Sequence, residues 1–215
     1  ITVLFCDLVG SSQLTASLDP EETRSVIRKY RSVVAEVVER LGGHVAQYLG
    51  DGSLAYFGWP KALETAAERA VAAALEIIKA VDDQAQLQRH KLQVRQGVAT
   101  GLVVIGAPET GDLSEDMTAV GNVVNVAARL QTLAEPSHVV IAGSTRSLVK
   151  AQFDLTPMGA PKLKGISETV EVFQVDGHAA SPRRKQNQSI TMLGRDGEMR
   201  LALDRWKTAC SGEGQ

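Results

Sequence analysis

Two cysteines, Cys6 and Cys210, are too few and too far apart for a disulfide framework or a zinc site, and their scarcity suits a reducing compartment. A cytoplasmic location is expected on that ground. Charge of one sign is also missing. With a formal net charge of -2 and an isoelectric point near 6.1, nothing draws the chain as a whole to nucleic acid or to an anionic membrane. Aromatic residues are only 4% of the sequence and the first 178 residues hold no basic tract, which argues against a palm-like domain that tracks a nucleic-acid strand. No apolar run approaches the roughly 20 residues of a membrane span. Ile1 to Gly10 carries neither a basic n-region nor a cleavage site, so no membrane segment or signal peptide is expected in this fragment. What is present is enough apolar sequence, 44% of 215 residues, to fill one full-sized domain and leave an appendage.

Periodicity divides that domain into strands and helices. Ile1 to Cys6 reads as a buried strand closed by Asp7 and Gly10. Asp19 as N-cap, Pro20 at the first helical position and Glu22 three residues after the cap open a helix. Its apolar stripe runs from Val26 to Leu41, and Gly42-Gly43 stop it. His44–Leu49 and Ser53–Phe57 form a hairpin about Gly50-Asp51-Gly52. A second helix is expected from about Pro60 to Val81, strand-like sequence from Leu92 to Ile105 and a polar loop from Pro108 to Met117. A third helix follows over Asn122–Leu133, then strands at Val139–Ala142, Phe153–Leu155 and Val170–Val175. The order predicts an α+β, or α/β layered, fold with helices on a mixed sheet. Residues 178–192 are polar and include Arg183, Arg184 and Lys185, the composition of a linker; Leu193 to Ala209 is helical again.

Four places hold polar residues that folding alone does not require. Asp7 ends an apolar strand ahead of the small turn Val9-Gly10-Ser11-Ser12, whose backbone N–H groups suit a phosphate. Asp51 tips the hairpin. Carboxylates at two adjacent strand ends suit oxygen-seeking cations whose remaining ligands come from a substrate phosphate. Asn125 and Arg129 lie four residues apart, on one face of the third helix. Lys164 stands between Leu163 and Gly165 just before the last strand.

Phe5-Cys6-Asp7-Leu8-Val9-Gly10-Ser11-Ser12, Tyr48-Leu49-Gly50-Asp51-Gly52, Gly121-Asn122-Val123-Val124-Asn125-Val126-Ala127-Ala128-Arg129-Leu130 and Leu163-Lys164-Gly165 resemble, in order, the motif set of the class III nucleotidyl cyclases. Ser11 and Thr118 are most similar to the bacterial subgroup called IIIb, which includes bicarbonate-responsive members. The resemblance implies a ferredoxin-like or palm-like βαββαβ core with a mainly antiparallel sheet, working as a head-to-tail homodimer. It implies that Asp7, Asp51 and the Leu8 backbone carbonyl bind two Mg2+ (or Mn2+) ions, and that Gly10, Ser11 and Ser12 meet phosphate. Asn125 would orient the ribose, Arg129 would stabilise charge on the α-phosphate and Lys164 would hold the terminal phosphates, all from the other subunit. The substrate would be a nucleoside triphosphate, ATP giving cyclic AMP and pyrophosphate.

Base reading is where the sequence departs from that pattern. Gln47 stands where the family has an adenine-reading lysine, while Thr118 is ordinary for the subgroup. A glutamine amide and a threonine hydroxyl can each donate or accept, so the pair is expected to favour ATP with weak discrimination against GTP. Leu193-Gly194-Arg195-Asp196-Gly197-Glu198 is similar to the entry of an ATPase-type regulatory module. The expected organisation is therefore a catalytic domain over 1–177, a linker over 178–192 and a truncated further domain over 193–215. That context motivates the alternative of a weak or inactive cyclase-like module, binding nucleotide or dimerising, that regulates an attached ATPase.

Overall fold

The computed structural model describes residues 1–106 and 118–179, and beyond them Gly197, Arg200, Leu201, Asp204, Arg205 and Trp206, all six helical. The chain divides into two compact units, Ile1–Pro182 and Arg183–Gln215. The first is built on β1 (Thr2–Val9), which sends Leu4, Cys6 and Leu8 to one core cluster and Val3 and Phe5 to another. By the two-residue period of a strand, Asp7 shares the face of Val3 and Phe5. The expected end of this strand at Cys6 is corrected: pairing with β4 (Gln93–Thr100) continues through Asp7↔Arg95 to Val9↔Gln93. Apolar composition stops at Cys6, but backbone hydrogen bonding does not depend on it.

Gly10, at φ +82°, turns the chain in a conformation a Cβ would strain, and a helix absent from the sequence reading, α1 (Ser11–Ser17), begins at once. The next helix, α2 (Pro20–Arg40), starts as expected, with the Asp19 carboxylate accepting from the Glu22 N–H at 2.8 Å, a cap worth about 1 kcal/mol. It buries Val26, Tyr30, Val33, Val34, Val37 and Val38. The expected hairpin is β2 (His44–Leu49) and β3 (Gly52–Phe57), irregular between Val45 and Gln47. The second long helix, α3 (Ala66–Asp83), begins later than Pro60 and is followed by the short α4 (Ala85–Arg89). The stretch read as one strand-like segment from Leu92 separates into β4 and β5 (Val104–Gly106), which pairs with β6 (Thr118–Val120). The polar loop expected between them lies outside the described residues. After α5 (Asn122–Leu133) come β7 (His138–Ala142), an unanticipated α6 (Gly143–Val149), β8 (Phe153–Gly159) and β9 (Val172–His178). Strand β9 carries regular structure to the residue where the linker was expected to begin. The rest of that linker and most of the helix expected over 193–209 lie outside the described residues.

Seven strands form one sheet in the order β2-β3-β1-β4-β7-β9-β8. Every neighbouring pair is antiparallel except β4 and β7. This mixed, mainly antiparallel sheet with helices packed on it is the expected palm-like α+β fold. One face carries α2 and α3 over Leu4, Cys6, Leu8 and Phe57. The other carries α5 over Val3, Tyr56 and Val140. Among the described residues no helix is long and apolar enough to cross a membrane.

The approach of α5 to the sheet is set at Gly97 in β4. A Cβ there would stand 2.2 Å from the Ala127 carbonyl oxygen and 2.3 Å from the Gln131 backbone nitrogen. Only hydrogen fits, so the α5 backbone rests directly on the strand. Gly97→Ala is therefore expected to cost about 1–3 kcal/mol by overpacking. Gly106→Ala, with no atom of the described residues within 4 Å of the new methyl, should leave stability nearly unchanged. Thermal unfolding followed by circular dichroism compares the two; equal midpoints would show that α5 lifts away freely.

Candidate active site

The Cys6↔Ser53 register between β1 and β3, continued by one residue, brings Asp7 level with Gly52, next to Asp51. Asp7, in β1, and Asp51, in the turn that leads into the neighbouring β3, thus lie at one end of the sheet, and each is held. The Ser11 hydroxyl donates a short hydrogen bond to Asp51 Oδ2. Asp7 Oδ2 accepts from Arg95 Nε at 3.3 Å, Arg95 Nη2 at 3.1 Å and Gln131 Nε2 at 3.0 Å. Arg31 of α2 supports the hairpin tip from below: its Nη2 donates to the Gly50 carbonyl, and its guanidinium lies 4.7 Å from the centre of the Tyr48 ring. A planar, delocalised guanidinium suits this pair of contacts better than the compact, strongly hydrated charge of an ammonium.

Beneath this cluster, on the opposite face of β1, the surroundings are neutral. The Tyr30 hydroxyl donates to Cys6 Sγ at 3.2 Å, both groups being fully buried. Burial pushes the Cys6 thiol up to about 12 and raises the Tyr30 phenol well above its usual value. Neither adds charge at neutral pH, so the local field is set by the carboxylates and Arg95.

A second group assembles on α5 and the loop before β9. Asn125 and Arg129 are exposed on the helix, and Arg129 Nε donates to the Lys164 backbone carbonyl at 3.0 Å. The loop is anchored by Leu163 and Ile166, buried in the α5-side core, which leaves Lys164 exposed between them. Gln131, two residues beyond Arg129, is only 6% exposed and faces Asp7. At 100° per residue, Arg129 and Gln131 project about 200° apart. One helix therefore turns inward to Asp7 and outward with Asn125 and Arg129.

Gln47 is half-buried in β2 opposite Leu54, beside the irregularity of that strand. Thr118 opens β6 opposite Gly106; its side chain and that of Ser12 lie outside the described residues. The Leu8 side chain is buried in the core, and its backbone lies in the β1–β4 ladder opposite Val94. A cavity of about 450 Å³ lies around Ala99–Leu102 and the start of α5, at the other end of β4 from Arg95, and includes none of the sequence-predicted residues. Side-chain chemistry, rather than concavity, marks the site. Sequence reasoning missed Arg95, Gln131 and Arg31. Gln131 had a signal, as a polar residue on the apolar face that α5 buries; Arg95 had none, since β4 also holds Gln93, Gln96 and Thr100.

The model of the adenylate and guanylate cyclase catalytic domain matches residues 1–177. Adenylate cyclase 1 of Rhizobium meliloti is 27% identical over 183 residues, covering 82% of this chain and 27% of that protein. An uncharacterised protein of the same organism is 26% identical over the whole chain, which spans 21% of its length. The chain thus spans less than a third of these relatives. Among solved structures, the adenylyl cyclase CyaB from P. aeruginosa superposes with a TM-score of 0.77 at 27% identity, covering 84% of this chain and 95% of that one. The guanylate cyclase domain of RhGC from Catenaria anguillulae, in complex with GTP, gives 0.77 at 25% identity, covering 83% and 96%.

If Arg31 holds the tip that carries Asp51, Arg31→Ala should speed amide hydrogen exchange in the Tyr48–Ser53 segment while exchange in the β1–β4 ladder stays as it was. Unchanged protection of the hairpin would show that the tip needs no support from α2.

Proposed function

The chain belongs to the adenylate and guanylate cyclase catalytic domain family, and from that premise we propose that it closes a nucleoside triphosphate, ATP ahead of GTP, to the 3',5'-cyclic monophosphate with release of pyrophosphate. The observation that carries this reading is the two-sided use of α5. Its inward Gln131 bonds its own Asp7, while Asn125 and Arg129 are exposed on the far side, where a second copy of the chain can receive them. That arrangement supports sites shared between two chains in a homodimer, each giving its carboxylates to one site and its α5 face to the other.

The donor set fits a hard divalent cation. Asp7 and Asp51 offer carboxylate oxygens, and among the described residues no cluster of three or more His, Cys, Asp or Glu converges to cage an ion by itself. Mg2+ suits such a sparse set because it is usually held by one or two carboxylates together with substrate phosphates. Asp7, Asp51 and the Leu8 backbone carbonyl would hold two Mg2+ (or Mn2+) ions, which when bound supply Lewis-acid polarisation and neutralise phosphate charge.

The remaining roles fall to the chain's own groups. Gln47 and Thr118 read the base, and Asn125 orients the ribose. The 3'-oxygen forms its new bond to the α-phosphorus as the bond from that phosphorus to the β-phosphate bridging oxygen breaks, in line, and the hydroxyl proton leaves to solvent. Arg129 meets the charge that grows on the α-phosphate, an interaction stronger in the transition state than in the ground state. Lys164 and the backbone of Gly10, Ser11 and Ser12 hold the terminal phosphates. The Ser11 hydroxyl also has a structural task, since it donates to Asp51. By the same reading, the polar residues between β9 and residue 192 are a linker, and 193–215 belong to an ATPase-type module.

Incubating the purified chain with ATP or GTP and Mg2+ or Mn2+, and resolving products by chromatography, should yield cyclic AMP from ATP and a smaller amount of cyclic GMP from GTP. Strict preference for GTP would overturn the base assignment, and no cyclic product under any combination would favour the regulatory module. Arg129→Ala should lower kcat by roughly two to three orders of magnitude with little change in KM. Mixing inactive Asp51→Ala with inactive Arg129→Ala should restore roughly a quarter of wild-type activity, because half of randomly paired dimers hold one intact site of two. A mixture as dead as its components would rule out shared sites.

A further inference from the structure

The two oxygens of Asp7 are used unequally. Oδ2 accepts all three hydrogen bonds, two from Arg95 and one from Gln131, while among the described residues nothing donates to Oδ1. This is not what an arginine beside a carboxylate does when left alone. The favoured pairing is a fork on a fork, two parallel bonds that occupy both oxygens. Here both Arg95 donors converge on one oxygen, and the group that competes for the carboxylate's orientation is the Gln131 amide.

Gln131 is well placed to win that competition. Its side chain is buried, and its backbone nitrogen and Cα sit over Gly97, 2.3 Å and 3.0 Å from where a Cβ would be. The helix backbone is therefore seated on β4, and the amide approaches Asp7 from a fixed direction. Arg95, by contrast, has a side chain 36% exposed, free to adjust its guanidinium.

We propose that Gln131 is a positioning residue that protects Asp7 from capture by Arg95. By fixing Oδ2, it forces Arg95 to share that oxygen and leaves Oδ1 for a divalent cation. Without Gln131 the carboxylate rotates into the two-oxygen pairing with Arg95, and the cation must then compete with a guanidinium for both oxygens. The proposal rests on the reading above that Asp7 is a cation ligand. It adds that α5 sets the metal half of one site while carrying Asn125 and Arg129 for another, so a shift of this helix is felt at both.

The test measures Mn2+ affinity by the loss of the free-ion electron paramagnetic resonance signal, in the presence of 3'-deoxy-ATP, which cannot cyclise. Gln131→Met, close to glutamine in length but without a donor, should weaken Mn2+ binding about ten- to a hundredfold. Adding Arg95→Lys, whose ammonium cannot form the fork, should bring the Gln131→Met protein back to within about threefold of wild type. A need for Gln131 in packing alone predicts no such rescue. Gln131→Asn, which withdraws the amide by one methylene, should weaken binding in the same direction and serves if Gln131→Met does not fold. The proposal is overturned if both Gln131 variants bind Mn2+ as wild type does, or if Arg95→Lys restores nothing. Asp7→Asn separates the two levels of argument. Undiminished Mn2+ binding by that variant removes Asp7 as a ligand and this proposal with it, whereas loss of binding there combined with normal binding by the Gln131 variants sinks this proposal alone.

Discussion

Helix α5 can lie on the sheet only because residue 97 has no side chain. With the Ala127 carbonyl oxygen and the Gln131 nitrogen both within 2.3 Å of an added Cβ, the helix and strand meet backbone to backbone, closer than any other residue type permits. Protein interiors relax little around an inserted methyl, so that contact fixes the height and rotation of the helix together. Everything polar on α5 inherits its position from there: Gln131 against Asp7 on the inner side, Asn125 and Arg129 on the outer side, and through Arg129 the Lys164 loop. The apolar residues Ala127 and Leu130, fully buried on the sheet, supply the adhesion, and Gly97 supplies the distance.

The carboxylate end of the sheet is built on a contrast in polarity across a single strand. On one face of β1 lie a thiol and a phenol, both fully buried and both kept protonated by that burial. On the other face Asp7 keeps partial access to solvent, with its side chain 19% exposed, and draws on Arg95 for compensation. Charge is thus confined to the face of β1 that carries Asp7, where the carboxylate and Arg95 keep partial access to solvent. Asp51 is managed differently. It sits on a hairpin tip, steadied by the Ser11 hydroxyl and, through Gly50, by Arg31. One carboxylate is fixed by the sheet and a helix, the other by a turn, and a cation between them must bring further oxygens with it.

Much of the architecture was legible because local chemistry and global fold agree. Asp19, Pro20 and Glu22 mark the start of α2 as the structure has it, and Gly50-Asp51-Gly52 is the turn of a hairpin. Where they diverge, the reason is physical. Helices α1 and α6, each seven residues long, are too short to display an apolar period, and tertiary packing rather than propensity holds them. Strand β6 has three residues and exists only by pairing with β5. The carboxylates, Asn125, Arg129 and Lys164 were identifiable as candidates because their types and order suit phosphate chemistry. Arg95 and Gln131 were not, because an arginine in a strand with other polar residues is common, and the place of Gln131 on the apolar face of α5 signals burial without naming its partner.

Sequence by itself determined which residues could bear charge, which faces had to be buried and where the chain had to turn, since these depend on side chains and near neighbours. Contacts between residues far apart in the chain were decided by the folded sheet. Asp7 meets Arg95 and Gln131, 88 and 124 positions away, because antiparallel pairing sets β4 beside β1 and a glycine lets α5 down onto both. Local periodicity carries no information about register or interlayer distance, and those two quantities bring the polar groups of this site within reach of one another.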